Sequence, residues 1–168
     1  MTDRRRLLSR RRFLIQTRKE RLLRFFSGDI VMANKKILVV DDEIHIIHVV
    51  AIKLRNNGYE VVAAENGLEG YETACREKPD LVVTDYQMPM MSGLEMVEKL
   101  RQNPDTADIP VIMLTARSFA IENDQKQQLQ IAHFLSKPFS PKELLMSIED
   151  ILYQRQVAAN GSQSRRAY

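Results

Sequence analysis

"KKILVVDDEIH", residues 35–45, is the stretch from which the fold can be predicted. Its apolar run, Ile37–Val40, has the composition of a strand that is buried on both faces of a sheet. Asp41, Asp42 and Glu43 follow that run directly. Three adjacent acids at the end of a buried strand repel one another and lose hydration, which favours their protonated forms unless a cation lies nearby. The stretch therefore predicts a buried strand that ends at a cation site or a reactive centre.

The composition predicts one folded domain preceded by a basic segment. The chain has 168 residues, of which 44% are hydrophobic, and this suffices for a single domain with a core. Residues 1–31 carry ten Lys/Arg and three acids, whereas the rest of the chain carries 15 and 19, so the two net charges are +7 and −4. The pI of about 9.1 therefore reflects the basic segment. The single cysteine, Cys75, excludes an internal disulfide, and its helical surroundings predict a buried thiol.

The basic segment does not have the pattern of a membrane span or an export signal. No apolar run reaches the roughly 18 residues that a transmembrane helix needs. "SRRRFLIQ", residues 9–16, resembles a twin-arginine signal, but charged residues from Arg18 to Arg24 replace the apolar segment of about 7–15 residues that should follow. We therefore expect a cytoplasmic protein. Residues 1–31 are interpreted as a helical or disordered basic extension, or as an over-extended start, since "ANKKILVVDDE" after Met32 reads like a natural beginning.

Strand patterns and helical patterns alternate from residue 35 onward. The predicted strands are Ile37–Val40, Val61–Ala64, Leu81–Val83, Val111–Leu114 and Phe134–Leu135. Apolar residues recur at helical spacing between and after them, at Ile44, Ile47, Ala51 and Leu54, at Leu68, Tyr71 and Cys75, at Val97 and Leu100, and at Leu144, Leu145, Ile148, Ile151 and Leu152. A fourth helix near residues 119–130 has few core residues and is predicted to be marginal. Five strands and five helices in alternation predict an α/β fold with a doubly wound parallel sheet.

Polar side chains follow four of the five predicted strands. Asp41 and Asp42 follow the first, Asp85 the third, Thr115 the fourth and Lys137 the fifth. Because the carboxyl ends of parallel strands share one edge of the sheet, we expect these groups to converge. Several carboxylates in one pocket favour a hard divalent cation, and Mg²⁺ beside a lysine and a hydroxyl suits a phosphoryl group that one carboxylate accepts. The chain lacks a nucleotide-binding glycine loop, so the predicted donor is another protein or a small phosphorylated compound.

Four segments carry a resemblance to a known family: "ILVVDDE", "PDLVVTDYQMPMMSG", "IPVIMLTA" and "FLSKPF". Their order and spacing over residues 35 to 155 resemble the receiver domain of two-component response regulators, in particular the chemotaxis-type single-domain receivers. The resemblance implies a flavodoxin-like sheet with strand order 2-1-3-4-5, a receiver domain at residues 34–157 and a polar tail at 158–168. The chain departs from the family at Leu129-Gln130-Ile131, where Ala-Gly-Ala is usual, so a positive φ at Gln130 would be strained.

The resemblance also implies a role for each residue at the strand ends. Asp85 would be the phosphoacceptor. Asp42, Asp85 and the backbone carbonyl of Gln87 would bind Mg²⁺, while Asp41 would act on the metal mainly through water. Lys137 would pair with the phosphoryl oxygens during transfer.

The implied mechanism couples this site to a protein surface. Thr115 would hydrogen-bond the phosphoryl group, Phe134 would turn inward, and the face of the fourth helix, fifth strand and fifth helix would change. The peptide bond between Lys137 and Pro138 would be cis. We expect a sensor histidine kinase or a histidine phosphotransfer protein as donor, and a protein target in a phosphorelay. We expect no enzymatic activity beyond self-catalysed phosphorylation and dephosphorylation.

Two other classes of function remain open at this point. An enzyme that phosphorylates small substrates is disfavoured, because no specificity domain accompanies the site. The basic segment could bind nucleic acid or a membrane surface, since its apolar residues recur near seven-residue spacing at Leu7, Leu8, Leu14, Ile15, Leu22 and Phe26. No DNA-binding domain follows in the sequence, so a single-domain regulator is the main expectation.

Overall fold

The computed structural model describes residues 34–116 and 129–164, with side chains up to residue 159. The chain divides into two units, Met1–Met32 and Ala33–Tyr168, and the described residues belong to the second. In chain order the elements are β1 (Lys36–Val40), α1 (Ile44–Arg55), β2 (Glu60–Ala64), α2 (Gly67–Glu77), β3 (Leu81–Asp85), α3 (Gly93–Gln102), β4 (Val111–Thr115), β5 (His133–Ser136) and α4 (Pro141–Ser164). All five strands are parallel and lie in the order β2-β1-β3-β4-β5, which confirms the predicted fold.

The three central strands form the centre of the core. Every residue of β3 and β4 is buried, and so is every residue of β1 after Lys36. The edge strands differ from the prediction of runs buried on both faces, because β2 and β5 mix buried and exposed residues. An edge strand has a neighbour on one side only, and the helical layers cover it less completely. The central strands are therefore the part of the sheet that holds strand-end side chains in fixed positions.

Helix α2 packs on the sheet through its smallest residues. The sequence predicted a buried face at Leu68, Tyr71 and Cys75, and this was wrong: Leu68 is exposed, and Tyr71 and Cys75 are only half-buried. The buried residues are Gly67, Gly70, Thr73 and Ala74. A Cβ on Gly70 would lie 2.7 Å from Met96 Sδ and 2.9 Å from Val40 Cγ1, so the absence of a side chain there allows the close approach of helix and sheet.

Helix α1 leaves an apolar patch in solvent. Three of its predicted core residues are buried, together with Val50: Ile47, Ala51 and Leu54. The fourth, Ile44, is 48% exposed, because it is the first residue of the helix and lies off the face that contacts the sheet. Val49 and Ile52 are exposed by 52% and 60%. We call Ile44, Val49 and Ile52 the α1 patch.

The described residues contain four helices, whereas the sequence predicted five. The predicted fourth helix, near residues 119–130, falls mostly on residues 117–128, which lie outside the described part of the chain. Its last two positions, Leu129 and Gln130, form a turn. Helix α4 continues to Ser164, seven residues past the predicted domain end at residue 157. The sequence in this extension, with Ala158 and Ala159, contains good helix formers, so a polar composition alone does not end the helix.

Side-chain caps determine where three of the helices begin. At α2, Asn66 Oδ1 accepts from the Glu69 N–H at 2.9 Å. At α3, Ser92 Oγ accepts from the Glu95 N–H at 3.3 Å, and Glu95 Oε2 accepts from the Ser92 N–H at 2.8 Å. This reciprocal capping box fixes the helix start immediately after the loop that follows Asp85. At α4, the Glu143 N–H donates to Ser140 Oγ at 3.0 Å, as the Ser-Pro-x-Glu pattern predicts.

The turn before β5 contains a strained residue that an arginine holds in place. Gln130 has a φ of +48°, the left-handed region in which a side chain is unfavourable. Arg101, at the end of α3, donates from Nε to the Leu129 carbonyl at 2.9 Å and from Nη1 to the carbonyls of Ala107 and Ile109 at 2.8 and 2.9 Å. One guanidinium thus connects this turn to the segment that leads into β4.

We expect Gln130→Gly to raise the free energy of unfolding by about 1 kcal/mol, because glycine adopts positive φ without a steric penalty. Urea unfolding of the two chains measures the difference. The matched control is Gln154→Gly, which places glycine inside helix α4 and should lower stability by about 1 kcal/mol. A loss of stability in both variants would mean that the turn at Gln130 carries no strain that glycine relieves.

Candidate functional site

An ammonium group joins two carboxylates at the carboxyl edge of the sheet. Lys137 follows β5, Asp41 follows β1, and Asp85 is the last residue of the central strand β3. Lys137 Nζ lies 2.7 Å from Asp85 Oδ1 and 3.0 Å from Asp41 Oδ2. A third acid, Glu43, lies 3.5 Å from the same Nζ. The parallel order of the strands therefore brings together groups that are up to 96 residues apart in sequence.

Asp41 is the most deeply buried member of this cluster. Its solvent exposure is 0%, and its Oδ1 accepts from the Glu43 N–H at 2.9 Å. Burial raises the pKa of the Asp41 carboxyl, while the Glu43 N–H and the Lys137 ammonium oppose that shift and the nearby Asp85 adds to it. The charged form of Asp41 is consequently stabilised by two neighbours, the Glu43 N–H and the Lys137 ammonium.

Lys137 remains charged although it is largely enclosed. Burial by itself would lower the pKa of the Lys137 ammonium, but hydrogen bonds to Asp85 and Asp41 outweigh burial and raise the pKa above its usual value. A lysine ammonium is a compact point charge with three donors. The site therefore supplies a fixed positive charge within contact distance of Asp85.

Asp85 is held by its own loop. Its carboxylate is nearly buried, at 7% exposure of the residue, and Oδ2 accepts from the Gln87 N–H at 2.8 Å. The Thr84 hydroxyl donates to the Asp85 carbonyl at 3.0 Å. Gly93, the first residue of α3, approaches the same carbonyl so closely that a Cβ would lie 2.0 Å from it. Asp85 is thus fixed by both carboxylate oxygens and by its backbone.

The remaining predicted residues lie on β4 and β5 and just past β1 and β5. Thr115 ends β4 and is buried, and its carbonyl accepts from the Lys137 N–H at 2.8 Å. The peptide bond between Lys137 and Pro138 is cis. Phe134 is half-buried and packs against the core, opposite Met113 in the β4–β5 register. Asp42 is exposed beside Asp41.

Two contributors to the site were not recognised in the sequence. Glu43 received no role of its own in the sequence; it is the N-cap residue of α1 and makes no side-chain cap bond. Its carboxylate lies instead near Lys137 and 3.4 Å from His45 Nε2. The second is Gly93, whose close approach to the Asp85 carbonyl could not be deduced from sequence spacing. Both contacts depend on the direction that the backbone takes after a strand ends. A sequence pattern does not specify that direction.

The donor set suits Mg²⁺ when backbone and water oxygens complete it. Within the described ranges, no three His, Cys, Asp or Glu side chains lie close enough to hold a metal ion by themselves. Asp85 ends β3 and the exposed Asp42 lies just past β1, so both present hard oxygen donors at the same edge of the sheet. Mg²⁺ binds one or two carboxylates and keeps carbonyl and water oxygens for its remaining positions. The residues therefore fit a magnesium ion better than a metal that requires a complete protein cage.

Comparison with known proteins identifies the family. The response regulator receiver domain matches residues 37–149 of this sequence. The chain belongs to that family. Receiver domains are signalling domains rather than ordinary enzymes, and phosphorylation on aspartate with Mg²⁺ at the phosphorylation site is characteristic of them.

Several relatives document the similarity. Over 132 residues the chain is 37% identical to the alkaline phosphatase synthesis transcriptional regulatory protein PhoP of Bacillus subtilis, which covers 79% of this chain and 54% of that protein. It is 40% identical over 124 residues to the phosphate regulon transcriptional regulatory protein PhoB of Pseudomonas aeruginosa, covering 72% and 53%. The high-resolution structure of the chemotaxis response regulator CheY4 of Vibrio cholerae matches with a TM-score of 0.66 and 31% identity, over 71% of this chain and 99% of that one.

These matches differ in what they cover. The chain spans about half the length of the curated relatives PhoP and PhoB, but nearly the whole of the CheY4 structure. The receiver is therefore the part that all of them share. Among the helices of residues 34–116 and 129–164, none combines the length and apolar character needed to cross a bilayer.

Proposed function

We propose that this receiver accepts a phosphoryl group on Asp85 from a phosphohistidine of a sensor kinase or a phosphotransfer protein. The observation that carries the proposal is the contact of Lys137 Nζ with Asp85 Oδ1 at 2.7 Å. In the transfer, an Asp85 carboxylate oxygen attacks phosphorus, the bond from phosphorus to the histidine nitrogen breaks, and the imidazole leaves. The Lys137 ammonium stabilises the negative charge on the phosphoryl oxygens as the group moves.

The two acids beside Asp85 have different parts in this proposal. Asp42, which is exposed, would bind Mg²⁺ together with Asp85 and the Gln87 carbonyl, and that ion would shield the phosphoryl charge. Asp41, which is fully buried against Lys137, would keep the ammonium in position and reach the ion through water. Self-catalysed phosphorylation and dephosphorylation by water are the only reactions assigned to the chain.

The α1 patch supports a protein as the phosphoryl donor. A groove of about 430 Å³ lies between α1 and the segment after β5, and it is lined by Ile46, Val49, Val50, Lys137, Pro138, Phe139 and Pro141. Because Lys137 borders this groove, a helix of a donor protein that covers the patch would bring its phosphohistidine to Asp85. Exposed apolar surface of this kind marks protein interaction sites.

The output in this proposal is a conformational switch. Phosphorylation adds close to two negative charges at Asp85. Thr115 would hydrogen-bond the new oxygens and Phe134 would turn inward, which changes the face of β5 and α4 toward a downstream protein. In this scheme the receiver signals to a protein partner in a phosphorelay. We expect Thr115→Ala to be phosphorylated but to lose most of the shift of β5 resonances in NMR spectra; an unchanged shift would contradict the coupling.

Labelling with a small phosphodonor tests the assignment of Asp85. We expect acetyl phosphate with Mg²⁺ to add one phosphoryl group per chain by intact mass, and we expect chelation of Mg²⁺ or Asp85→Asn to abolish it. Equal labelling of the Asp85→Asn chain and the unaltered chain would refute the assignment.

Ile52→Glu separates the chemistry from docking. This substitution changes the α1 patch and leaves the residues around Asp85 intact, so labelling by acetyl phosphate should persist. Transfer from a phosphorylated histidine phosphotransfer protein should fall about tenfold or more if the patch is the docking surface. Unchanged transfer from the protein donor would exclude the patch as that surface.

A further inference from the structure

A second groove lies at the opposite edge of the sheet from Asp85. It borders the segments that lead into β4 and β5 and the middle turns of α4, and its volume is about 490 Å³. Its polar and apolar walls are formed mainly by Arg101, Asp108, Ile109, Gln130, Ile151 and Arg155. This volume is in the usual range for small-molecule sites. None of the lining residues belongs to the site around Lys137.

The groove carries an excess of positive charge. Two guanidinium groups, those of Arg101 and Arg155, face one carboxylate, that of the exposed Asp108. Burial lowers the pKa of the Arg101 guanidinium, and the nearby Asp108 carboxylate opposes that shift. The positive charge of Arg155 lowers the same pKa further, so the two arginines lie near enough to repel each other. Of the salt bridges between described residues, none includes either arginine. An anion in the groove would relieve that repulsion.

The two arginines differ in the donors that they can offer. Arg101 is occupied, because Nε and Nη1 bond the carbonyls described above and Nη2 reaches the Gln130 carbonyl at 3.4 Å. It therefore contributes charge and fixes the wall of the groove. Arg155 donates from Nη1 to the Asp108 carbonyl, and within the described residues its Nε and Nη2 make no hydrogen bond. Arg155 is thus the lining residue with donors left for a ligand, and a guanidinium fork matches the two oxygens of a phosphate or carboxylate.

We propose that this groove binds a small organic anion, with its phosphate or carboxylate group on Arg155 and its apolar part against Ile109 and Ile151. The apolar walls, which include Pro110, Ala132 and Ala158, explain why an organic body suits the groove better than an inorganic ion. Because the groove and Asp85 lie at opposite edges of the sheet, both can be occupied together. The ligand would contact the Gln130 turn directly before β5, and this gives the domain a second input independent of phosphorylation.

NMR titration of the full chain tests the groove with defined probes. Phenylphosphonate and benzoate present the two kinds of anion on the same apolar ring, and neither transfers a phosphoryl group to Asp85. We expect the probe of higher affinity to shift the backbone amide resonances of Asp108, Ala132 and Arg155. This probe should also bind more tightly than inorganic phosphate. Arg155→Gln should weaken binding of that probe about tenfold. Arg155→Lys should weaken it by less, since a lysine keeps the positive charge and loses the donor fork.

Arg76→Gln is the matched control, because Arg76 is an exposed helical arginine far from the groove residues in sequence and is bonded to Glu77 and Thr73. The Arg76→Gln chain should bind the probe with the same affinity as the unaltered chain. Shifts confined to the amides around Lys137, equal affinity of Arg155→Gln and the unaltered chain, or equal weakening by Arg76→Gln would each overturn the proposal.

Discussion

Replacing Lys137 with alanine is expected to lower the free energy of unfolding by about 3 kcal/mol. The ammonium is the contact that Asp41 and Asp85 share, at 3.0 and 2.7 Å. Without it, the fully buried Asp41 carboxylate faces a second carboxylate with no compensating charge. Removing one partner of a buried ion pair costs more than the pair itself contributes, because the remaining charge stays desolvated. Urea unfolding near neutral pH measures the loss.

The same substitution is expected to slow phosphorylation of Asp85 about a hundredfold, because a preorganised charge is lost where negative charge develops. Intact-mass labelling over time measures the rate. Lys142→Ala is the matched control: Lys142 is exposed in the first turn of α4, so both stability and labelling should stay nearly unchanged.

A double substitution separates the two consequences. Asp41→Asn in the Lys137→Ala background removes the unpaired buried charge, so it should restore part of the lost stability without restoring the labelling rate. If the double variant were as unstable as Lys137→Ala alone, the loss would come from packing around the lysine stem rather than from Asp41.

The sequence predicted the sheet and the convergence at its edge for the same physical reason. Strands such as Val111–Thr115 must be apolar along their whole length to be buried on both faces, so their polar ends stand out clearly. A parallel sheet places all those ends at one edge, and this brings Asp41, Asp85 and Lys137 together. The burial of the edge strands was less predictable, because it depends on how far the helical layers extend.

The helix faces were harder to predict where small residues replaced large ones. A search for Leu and Tyr at helical spacing missed the face of α2, since glycine and alanine carry almost no hydrophobic signal. Glu43 could not be placed either, because one residue of difference in the helix start decides whether its side chain contacts solvent or Lys137. Patterns therefore identify elements and their ends, and packing decides the contacts made by individual side chains.

Gly93→Ala is expected to lower the free energy of unfolding by about 3 kcal/mol, although alanine is the better helix former by about 1 kcal/mol. The new Cβ would lie 2.0 Å from the Asp85 carbonyl oxygen and 3.2 Å from Thr84 Oγ1. The first of these atoms belongs to the backbone of a buried central strand, so it cannot rotate away as a side chain would. Either the start of α3 or the end of β3 must move.

This displacement should also slow phosphorylation, because the carbonyl belongs to Asp85, the proposed phosphoacceptor. We expect slower labelling of Asp85 in the folded Gly93→Ala chain, measured by intact mass under conditions in which circular dichroism shows native helix content. Gly58→Ala is the control. Gly58 has a φ of +85°, and a Cβ there would meet no atom of the described residues within 4 Å, its chain neighbours aside. This variant should therefore lose about 1 kcal/mol to backbone strain and keep its labelling rate. Equal losses of stability in the two variants would mean that the helix start yields freely to the methyl group, and unchanged labelling in Gly93→Ala would mean that the position of Asp85 does not depend on it.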